Sequence, residues 1–263
     1  MKEQDNILIK AHQLEIGYRL RKAERVVGKP VDLTIRPGEL IGLIGPNGIG
    51  KSTLIRTLIG VQPSLNGQLL LKGKPLDQYS LPQLALELSV VLTDAPATRN
   101  LTAGEMVSLG RQPYTNWLGK LTDEDREIVR KALSDTETLD LANTPCDQLS
   151  DGQFQRVSIA RALAQDTELI VLDEPTTHLD LFHRAYVFKL LRKLCREQNK
   201  AVLFSTHEIE MALSKSDKLL IMSNQGCFFG TPDELIQQGR LNQLFDGEGV
   251  GFDADSHRFT FDK

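Results

Sequence analysis

The first forty residues alternate between hydrophobic and polar positions. Apolar side chains recur near every second residue, on both sides of a polar break, at Ile7, Ile9, Leu14, Ile16, Tyr18, Val31, Leu33 and Ile35. A period of two is typical of a strand that covers a core with one face only. This segment is therefore predicted to form strands of a partly exposed sheet.

Four later segments are continuously apolar: LIGLI at 40–44, LIVL at 169–172, AVLF at 201–204 and LLIM at 219–222. Short runs of this kind indicate strands that are buried on both faces. Segments with helical character separate them, notably at 52–59, 154–164 and 184–197. Buried strands that alternate with helices predict an α/β fold with a doubly wound core.

The texture of the chain changes between about residues 81 and 149. Helix-type periodicity appears around 103–109 and 125–133, turn residues fill RQPYTNWLGKLTDED, and no buried strand is apparent. We interpret this region as a mostly helical insertion at about 81–150 within a single domain that spans residues 1–263. Short amphipathic helices are predicted in DELIQQGRLNQLF, and a final strand at 258–261.

Composition narrows the possible partners and locations. The net charge of −4 comes without a basic tail or stripe, which argues against nucleic acid as a partner. Cys146, Cys195 and Cys227 fit neither a metal knuckle nor a disulfide framework, so free thiols in a reducing compartment are expected. The N-terminus has no apolar leader, and no apolar run reaches the roughly 18 residues of a membrane span. We expect a cytoplasmic chain whose membrane contacts run through partners.

The segment GPNGIGKS at 45–52 fits the pattern G-x-x-x-x-G-K-[ST], between a predicted buried strand and a predicted helix. Glycines let a backbone loop wrap around phosphate oxygens, and the N–H groups at the start of a helix face the anion. In this pattern Lys51 reaches the outer phosphates and Ser52 ligates Mg²⁺. A binding site for a nucleoside triphosphate is therefore predicted here.

Two acidic residues follow the buried strand LIVL, and a histidine follows the buried strand AVLF. Asp173 is predicted to hold Mg²⁺ through water, and Glu174 to polarise the water that attacks the γ-phosphate. His207, in STHE, can contact a γ-phosphate from the same edge of the sheet. The candidate catalytic residues are therefore Glu174, His207 and Lys51.

Four motifs occur in order, GPNGIGKST, LSDGQFQRVSIARALA, LIVLDEPTTHLD and STHE. With them the chain resembles the ATP-binding subunit of ABC transporters over essentially its whole length, and LSDGQ is close to the family signature LSGGQ. The segments NLTAGEMVSLGRQPYTNWLG, ARALAQDTELIVLDEPTTHLDL and GTPDEL…LFDGEGV resemble, more narrowly, the ATPases of importers for iron–siderophore complexes, haem and cobalamin. The resemblance implies a P-loop NTPase core with an antiparallel β sub-domain and an inserted helical sub-domain.

The resemblance also implies roles for individual residues. Tyr18 matches the aromatic that stacks on adenine, and Asp180 the aspartate that runs along the dimer seam. The signature residues are Ser150, Gly152 and Gln153, and the nucleotide loop comprises Gly45, Asn47, Gly48, Gly50, Lys51, Ser52 and Thr53. Two copies are expected to sandwich two ATP molecules with Mg²⁺, each between the loop of one copy and the signature of the other.

The implied partners lie at the membrane. Hydrolysis is expected to reopen the homodimer, and the helical insertion to pass that motion to integral membrane permease subunits. A substrate-binding protein is an indirect partner. The chain is thus expected in the cytoplasm, attached to the inner face of the cell membrane.

The chain departs from the family pattern at three places. Where the family has a glutamine that touches Mg²⁺ and the attacking water, VVLTDAPATRN offers Thr93 or Asp94, either of which can supply an oxygen. Ile49 replaces a small residue, and its β-branched side chain predicts a φ below zero and a direction away from the phosphates. Asp151 in LSDGQ favours its helix through the helix dipole but would repel a γ-phosphate, so its carboxylate is expected to turn away.

Two other classes of function stay open at this point. A soluble ABC-type ATPase of DNA repair, chromosome maintenance or translation would carry a long coiled coil, DNA-binding domains or two ATPase copies, none of which the sequence contains. A regulatory subunit with little turnover is suggested by the missing glutamine, although Glu174 and His207 argue against it.

Overall fold

The computed structural model describes residues 6–21, 23–92, 100–177, 179–244, 249–254 and 258–261. Its strands are β1 (Ile9–Leu20), β2 (Ala23–Ile35), β3 (Leu40–Ile44), β4 (Asn66–Leu71), β5 (Lys74–Pro75), β6 (Leu88–Val91), β7 (Leu169–Leu172), β8 (Ala201–Ser205), β9 (Lys218–Met222), β10 (Cys227–Gly230), β11 (Val250–Asp253) and β12 (Arg258–Phe261). Its α-helices are α1 (Lys51–Leu58), α2 (Leu81–Glu87), α3 (Ala103–Ser108), α4 (Asp123–Asp135), α5 (Asp151–Ala164), α6 (Leu181–Gln198), α7 (Ile209–Lys215) and α8 (Pro232–Gln237).

The core of the molecule is a six-stranded sheet in the order β10-β9-β3-β8-β7-β6. The pairs β9–β3, β3–β8, β8–β7 and β7–β6 are parallel, and only β10 runs antiparallel to its neighbour. All residues of β3, β7 and β8 are buried, as their apolar runs predict. The carboxyl ends of these three central strands lie at one edge of the sheet, which is where open α/β sheets place their sites.

The core sheet separates two hydrophobic clusters. Along β3, Leu40 and Ile44 belong to the cluster that includes residues of α5 and α6, whereas Ile41 and Leu43 belong to the cluster that includes residues of α1, β1 and β2. Successive side chains of a strand point to opposite faces, so one short apolar run contributes to both clusters. Because these strands are buried on both faces, they hold the loops at their carboxyl ends in fixed positions.

A second sheet of order β2-β1-β4-β5 is antiparallel and covers one cluster with one face only. The alternation in the first forty residues is thereby confirmed, and the α/β class with an added antiparallel sheet is confirmed with it. Tyr18 of β1 pairs with Arg25 of β2. This pairing puts both residues on the part of the sheet that reaches the end of β3.

One prediction about the middle of the chain was wrong. Residues Leu88–Val91, inside the segment expected to lack buried strands, form β6 and pair parallel to Leu169–Leu172. The run LSVV is only four residues long and includes Ser89, so only the pairing with β7 reveals it as a strand. The predicted insertion at about 81–150 therefore contributes its first part to the core sheet. The predicted helical segments are confirmed in α3 and α4.

No helix in the described part of the chain is both long and apolar enough to cross a bilayer.

Candidate functional site

The loop between β3 and α1 has the geometry of a phosphate-binding loop. Gly45 and Gly50 adopt φ values of 157° and 116°. A Cβ at Gly45 would lie 2.4 Å from the carbonyl oxygen of Met222, and one at Gly50 would lie 2.6 Å from Val27 Cγ1. Gly50 also caps α1 without a side chain, so the first N–H groups of the helix are left for an anion.

Lys51 lies in the first turn of α1 and is only 6% exposed. Its Nζ donates hydrogen bonds to the carbonyl oxygens of Gly45, at 2.8 Å, and Pro46, at 3.2 Å. Burial lowers the pKa of this ammonium group, and the carboxylates of Glu174 and Asp173 act in the opposite direction. The site thus holds a partly desolvated cation beside the helix start, a position suited to phosphate oxygens.

Ile49 confirms the prediction about its backbone. Its neighbours Gly48 and Gly50 have positive φ, whereas Ile49 is not among the described residues that do. Its side chain packs against the hydrophobic cluster around β3 and lies beside Gly45, whose added Cβ would meet Ile49 Cγ2 at 3.2 Å. A bulky residue is tolerated here because the two glycines take the left-handed conformations.

The loop opens on a cleft of about 470 Å³. Its lining residues are Tyr18, Arg25, Val27, Asn47, Gly48, Gly50, Lys51, Ser52, Thr53 and Glu174. The hydroxyl of Tyr18 lies 3.1 Å from Thr53 Oγ1, which ties β1 to α1 at the mouth of the cleft. Two larger clefts, of about 620 and 640 Å³, contain none of the residues predicted for the site. Arg25 and Val27 were missed, because only the register of β1 and β2 brings them to Tyr18.

The carboxyl end of β7 delivers two carboxylates toward the loop. Ser205 of β8 donates from Oγ to Asp173 Oδ1 at 2.6 Å, and Ser205 Oγ accepts the backbone N–H of Glu174 at 2.8 Å. Thr177 Oγ1 donates to Glu174 Oε2 at 3.1 Å. Glu174 itself has a φ of 49°, a strained conformation that sites for chemistry often hold. Ser205 and Thr177 thus position both acids, although neither was predicted.

The oxygen atoms near Lys51 fit magnesium better than a transition metal. Among the described residues no group of three or more His, Cys, Asp or Glu is arranged to hold a metal. Ser52 offers a hydroxyl and Asp173 a carboxylate, and Mg²⁺ is held by few protein oxygens together with substrate phosphates and water. The candidates for the missing glutamine, Thr93 and Asp94, lie outside the described residues.

His207 follows β8 and its side chain is about half exposed. Its Nε2 lies 3.4 Å from Glu208 Oε1, and the same carboxylate is paired with Arg184. Arg184 also donates from Nε to the carbonyl oxygen of Leu179 at 2.6 Å. The imidazole is therefore linked through Glu208 and Arg184 to the backbone just before Asp180. The sequence shows no sign of this link, since Arg184 lies 24 residues from Glu208.

The signature segment begins α5 as predicted. Ser150 Oγ accepts the backbone N–H of Gln153 at 3.3 Å, and Gln153 Oε1 accepts the N–H of Ser150 at 2.9 Å. This reciprocal capping box starts the helix at an exposed surface. Asp151 is exposed in the first turn, and Gly152 is buried against the ring of His183.

Asp180 caps α6 in a similar way. Its Oδ1 accepts the backbone N–H of His183 at 2.8 Å and lies 2.8 Å from His183 Nδ1. The backbone hydrogen bond from His183 is the largest of the effects that lower the pKa of this carboxyl. Asp180 stays ionised, exposed and fixed at the start of a helix.

Most of the predicted residues form two groups in one chain, whereas His207 is not among the residues that line the cleft. Tyr18, Asn47, Gly48, Gly50, Lys51, Ser52, Thr53 and Glu174 line a single cleft. Gly45 and Asp173 support that cleft through Lys51 and Ser205. None of Ser150, Gly152, Gln153 and Asp180 lines it.

Comparison with known proteins identifies the family. A parallel sheet with a phosphate loop after one strand and adjacent acids after another defines a P-loop nucleotide-binding ATPase. The family described as ABC transporter matches residues 28–177. The chain is 38% identical over 239 residues to the iron(3+)-hydroxamate import ATP-binding protein FhuC of Bacillus subtilis (strain 168), which covers 90% of this chain and 87% of that protein.

Two further matches agree. The chain is 36% identical over 231 residues to the hemin import ATP-binding protein HmuV of Streptomyces coelicolor (strain ATCC BAA-471 / A3(2) / M145), covering 88% of this chain and 81% of that protein. The dimeric structure of a bacterial ABC transporter cassette superposes with a TM-score of 0.74 at 27% identity, over 86% of this chain and 99% of that one. The chain belongs to the ABC transporter family as an ATP-binding protein, so the resemblance inferred from the four motifs is confirmed. It is an ATP hydrolase whose turnover is coupled to transport.

Proposed function

We propose that this chain is the ATP-hydrolysing subunit that powers an ABC importer for iron–siderophore complexes, haem or cobalamin. The observation that carries the enzymatic part is the position of Glu174. This carboxylate lines the same cleft as Lys51 and Ser52, and Thr177 and Ser205 hold its side chain and backbone. A fixed carboxylate beside a phosphate loop is what activation of a water molecule requires.

Each residue of the cleft then has a distinct task. The N–H groups of the loop and the ammonium of Lys51 bind the phosphates of ATP, and Tyr18 stacks on the adenine. Glu174 orients the attacking water and accepts its proton, while His207 contacts the γ-phosphate. Ser52, Asp173 and either Thr93 or Asp94 would hold Mg²⁺, which when bound would neutralise charge on the phosphates.

The signature residues serve a second ATP molecule. Ser150, Gly152, Gln153 and Asp180 lie outside the cleft of their own chain, so they are free to meet the cleft of another copy. Two copies then enclose two ATP molecules, and hydrolysis separates them. A homologous cassette forms a dimer, which supports this arrangement.

The proposed transport partners follow from the relatives. Proteins named for iron(3+)-hydroxamate import and hemin import are 36–38% identical to this chain over most of its length. We therefore assign integral membrane permease subunits as direct partners and a substrate-binding protein as an indirect one. The helical region between β6 and α5 is the surface proposed to contact the permease, on the cytoplasmic face of the membrane.

Reconstitution tests this proposal. The chain would be co-purified with the permease subunits that it binds, placed in liposomes, and assayed for ATPase activity with binding protein loaded with ferric hydroxamate, haem or cobalamin. We expect one of these loaded binding proteins to stimulate the ATPase activity. The Glu174→Gln variant should lose this stimulation, and the exposed control Glu210→Gln should keep it. Stimulation by DNA and not by membrane partners would overturn the proposal.

A further inference from the structure

One side chain contacts both groups that the proposed function places on the neighbouring copy's nucleotide. His183, in the first turn of α6, has its Nδ1 2.8 Å from Asp180 Oδ1. The same imidazole lies against Gly152, where an added Cβ would come within 2.5 Å of His183 Cδ2 and 3.0 Å of Nε2. The signature and the seam aspartate therefore meet at this ring, although 28 residues separate Gly152 from Asp180 in the sequence.

The orientation of the ring is determined by its partners. The ionised carboxylate of Asp180 can only accept hydrogen bonds, so Nδ1 carries the hydrogen. Phe182 packs edge-on against the ring, with centroids 5.6 Å apart and planes at 90°. Nε2 is consequently directed toward the signature side, and the ring cannot turn without breaking its bond to Asp180.

The close contact also gives a reason for glycine at position 152. With the ring in this position, a Cβ there would lie only 2.5 Å from Cδ2 and 2.9 Å from Cγ of the imidazole. The ring in turn blocks movement of the first turn of α5 toward α6. One side chain thus lies between the starts of two helices, and the proposed function assigns both starts to the same nucleotide.

We propose that His183 is a positioning residue that joins the signature and Asp180 into one unit, so that both reach the ATP bound by the other copy together. The proposal rests on the ATP-sandwich dimer of the proposed function. Misplacing a binding group by about 1 Å can cost on the order of a hundredfold in rate. Loss of the contacts that His183 makes with Gly152 and Asp180 is therefore expected to weaken dimerisation and slow turnover. Binding of ATP to the cleft of a single copy does not involve it.

If His183 only stabilised the fold, its removal would lower Tm together with dimerisation, but its surroundings argue against that role. The side chain of His183 is 36% exposed. Asp180 also caps α6 through the backbone N–H of residue 183, which any replacement keeps. Removing the imidazole should therefore leave the fold nearly intact while separating the signature from Asp180.

The test uses the full chain with Glu174→Gln, which slows hydrolysis so that ATP-bound dimers accumulate. His183→Ala removes both contacts, His183→Asn keeps a donor near Nδ1 without the ring, and His183→Phe keeps the ring without the donor. The matched control is His12→Ala, since His12 Nδ1 lies 2.8 Å from Asp32 Oδ1 on the exposed antiparallel sheet. The readouts are ATP affinity at low protein concentration, the protein concentration at half dimerisation with ATP, and Tm.

We expect His183→Ala to raise the concentration at half dimerisation at least about tenfold, with ATP affinity and Tm nearly unchanged. His183→Asn and His183→Phe should each restore part of the effect, and His12→Ala should behave like the parent. Dimerisation of His183→Ala at the parent's concentration, or a fall in Tm that accounts for its loss, would overturn the inference. If the parent itself does not dimerise with ATP, the proposed function fails instead.

Discussion

Lys51 and Asp180 stand at the starts of two helices of the same chain, in opposite surroundings. Lys51 is buried in a cleft whose walls come from β1, β2, the phosphate loop and the end of β7. Asp180 has a side chain that is 66% exposed, and its hydrogen bonds go to its own helix. The first group of residues lines a cleft that we propose for phosphates, whereas the second presents capped helix starts at an open surface.

This difference indicates separate roles for the cleft residues and for the group formed by the signature residues and Asp180. We propose that this cleft, with its partly desolvated cation, binds nucleotide in a single copy, because its polar groups already converge there. Capped helix starts offer only groups that face outward, so they act when another surface brings an anion to them. Mutations in the cleft and mutations in the signature group should therefore have different effects on ATP binding and on dimerisation.

The largest expected contrast is between Lys51→Ala and Gly152→Asp. Removing the ammonium should lower ATP affinity of a single copy roughly 10- to 100-fold, as expected for the loss of charge-assisted hydrogen bonds. An acid at position 152 should leave that affinity within about twofold. It should abolish ATP-driven dimerisation, because the carboxylate would repel the γ-phosphate bound by the other copy and would overlap with His183. Nucleotide titration and light scattering measure the two effects.

Ser150→Arg provides the second signature variant, in case Gly152→Asp does not fold. It should reproduce the separation between intact binding and lost dimerisation. A signature variant that lowers single-copy ATP affinity as strongly as Lys51→Ala would contradict the separate roles of the cleft and the signature group.

The next contrast concerns what supports the signature helix. Arg111 donates from Nε to Asp125 Oδ1 at 2.8 Å and from Nη1 to the carbonyl oxygen of Ala164, the last residue of α5, at 3.0 Å. Both charged side chains are only 7% exposed. Arg111→Met should lower the free energy of unfolding by about 3 kcal/mol, because it leaves a buried carboxylate without its cation.

Arg130→Met is the matched control, since Arg130 pairs with Glu127 on the exposed face of α4. That pair should contribute less than about 1 kcal/mol. Urea unfolding with equal m values measures both variants. Equal losses would show that the buried pair does not support the helix that begins at the signature.

Acid should weaken the same support. The backbone N–H of Thr122 is the largest cause that lowers the pKa of Asp125 from 3.8 to about 2, followed by the Thr122 hydroxyl and Arg111. A depressed carboxyl pKa stabilises the fold above the unfolded value and loses that effect as the pH falls from about 4 to about 2. The stability difference between the wild type and Asp125→Asn should shrink over this interval in urea titrations. A constant difference would assign the effect to packing.

The smallest expected effect belongs to Asp151. Its carboxylate is exposed in the first turn of α5 and contributes about 0.5 kcal/mol through the helix dipole. Asp151→Gly and the isosteric Asp151→Asn should change ATP-driven dimerisation by no more than about twofold. A large gain in ATPase activity in both variants would show instead that the charge restrains turnover.

The buried strands were predictable because burial on both faces requires an uninterrupted apolar run, and β3, β7 and β8 have one. The strand β6 was not, since LSVV is short and only its pairing with β7 makes it a strand. The phosphate loop was predictable for a related reason. Its function depends on the backbone conformations of consecutive residues, which the glycines at 45, 48 and 50 permit.

Other site residues could not be found in this way. Ser205 holds Asp173 and Glu174 from 32 and 31 residues away. Arg25 lines the cleft only because β2 pairs with β1, and Arg184 reaches Glu208, next to His207, only because α6 packs beside β8. A serine or an arginine in these positions has no sequence context that distinguishes it from a solvated surface residue.

The sequence by itself determined that β3, β7 and β8 are buried strands, where the phosphate loop lies, and that a helix begins at the signature. These features depend on neighbours within a few residues, so local composition specifies them. The tertiary structure alone decided that the two groups stand apart and that one imidazole joins Gly152 to Asp180. That arrangement depends on the relative positions of α5 and α6, which packing across the whole core sets.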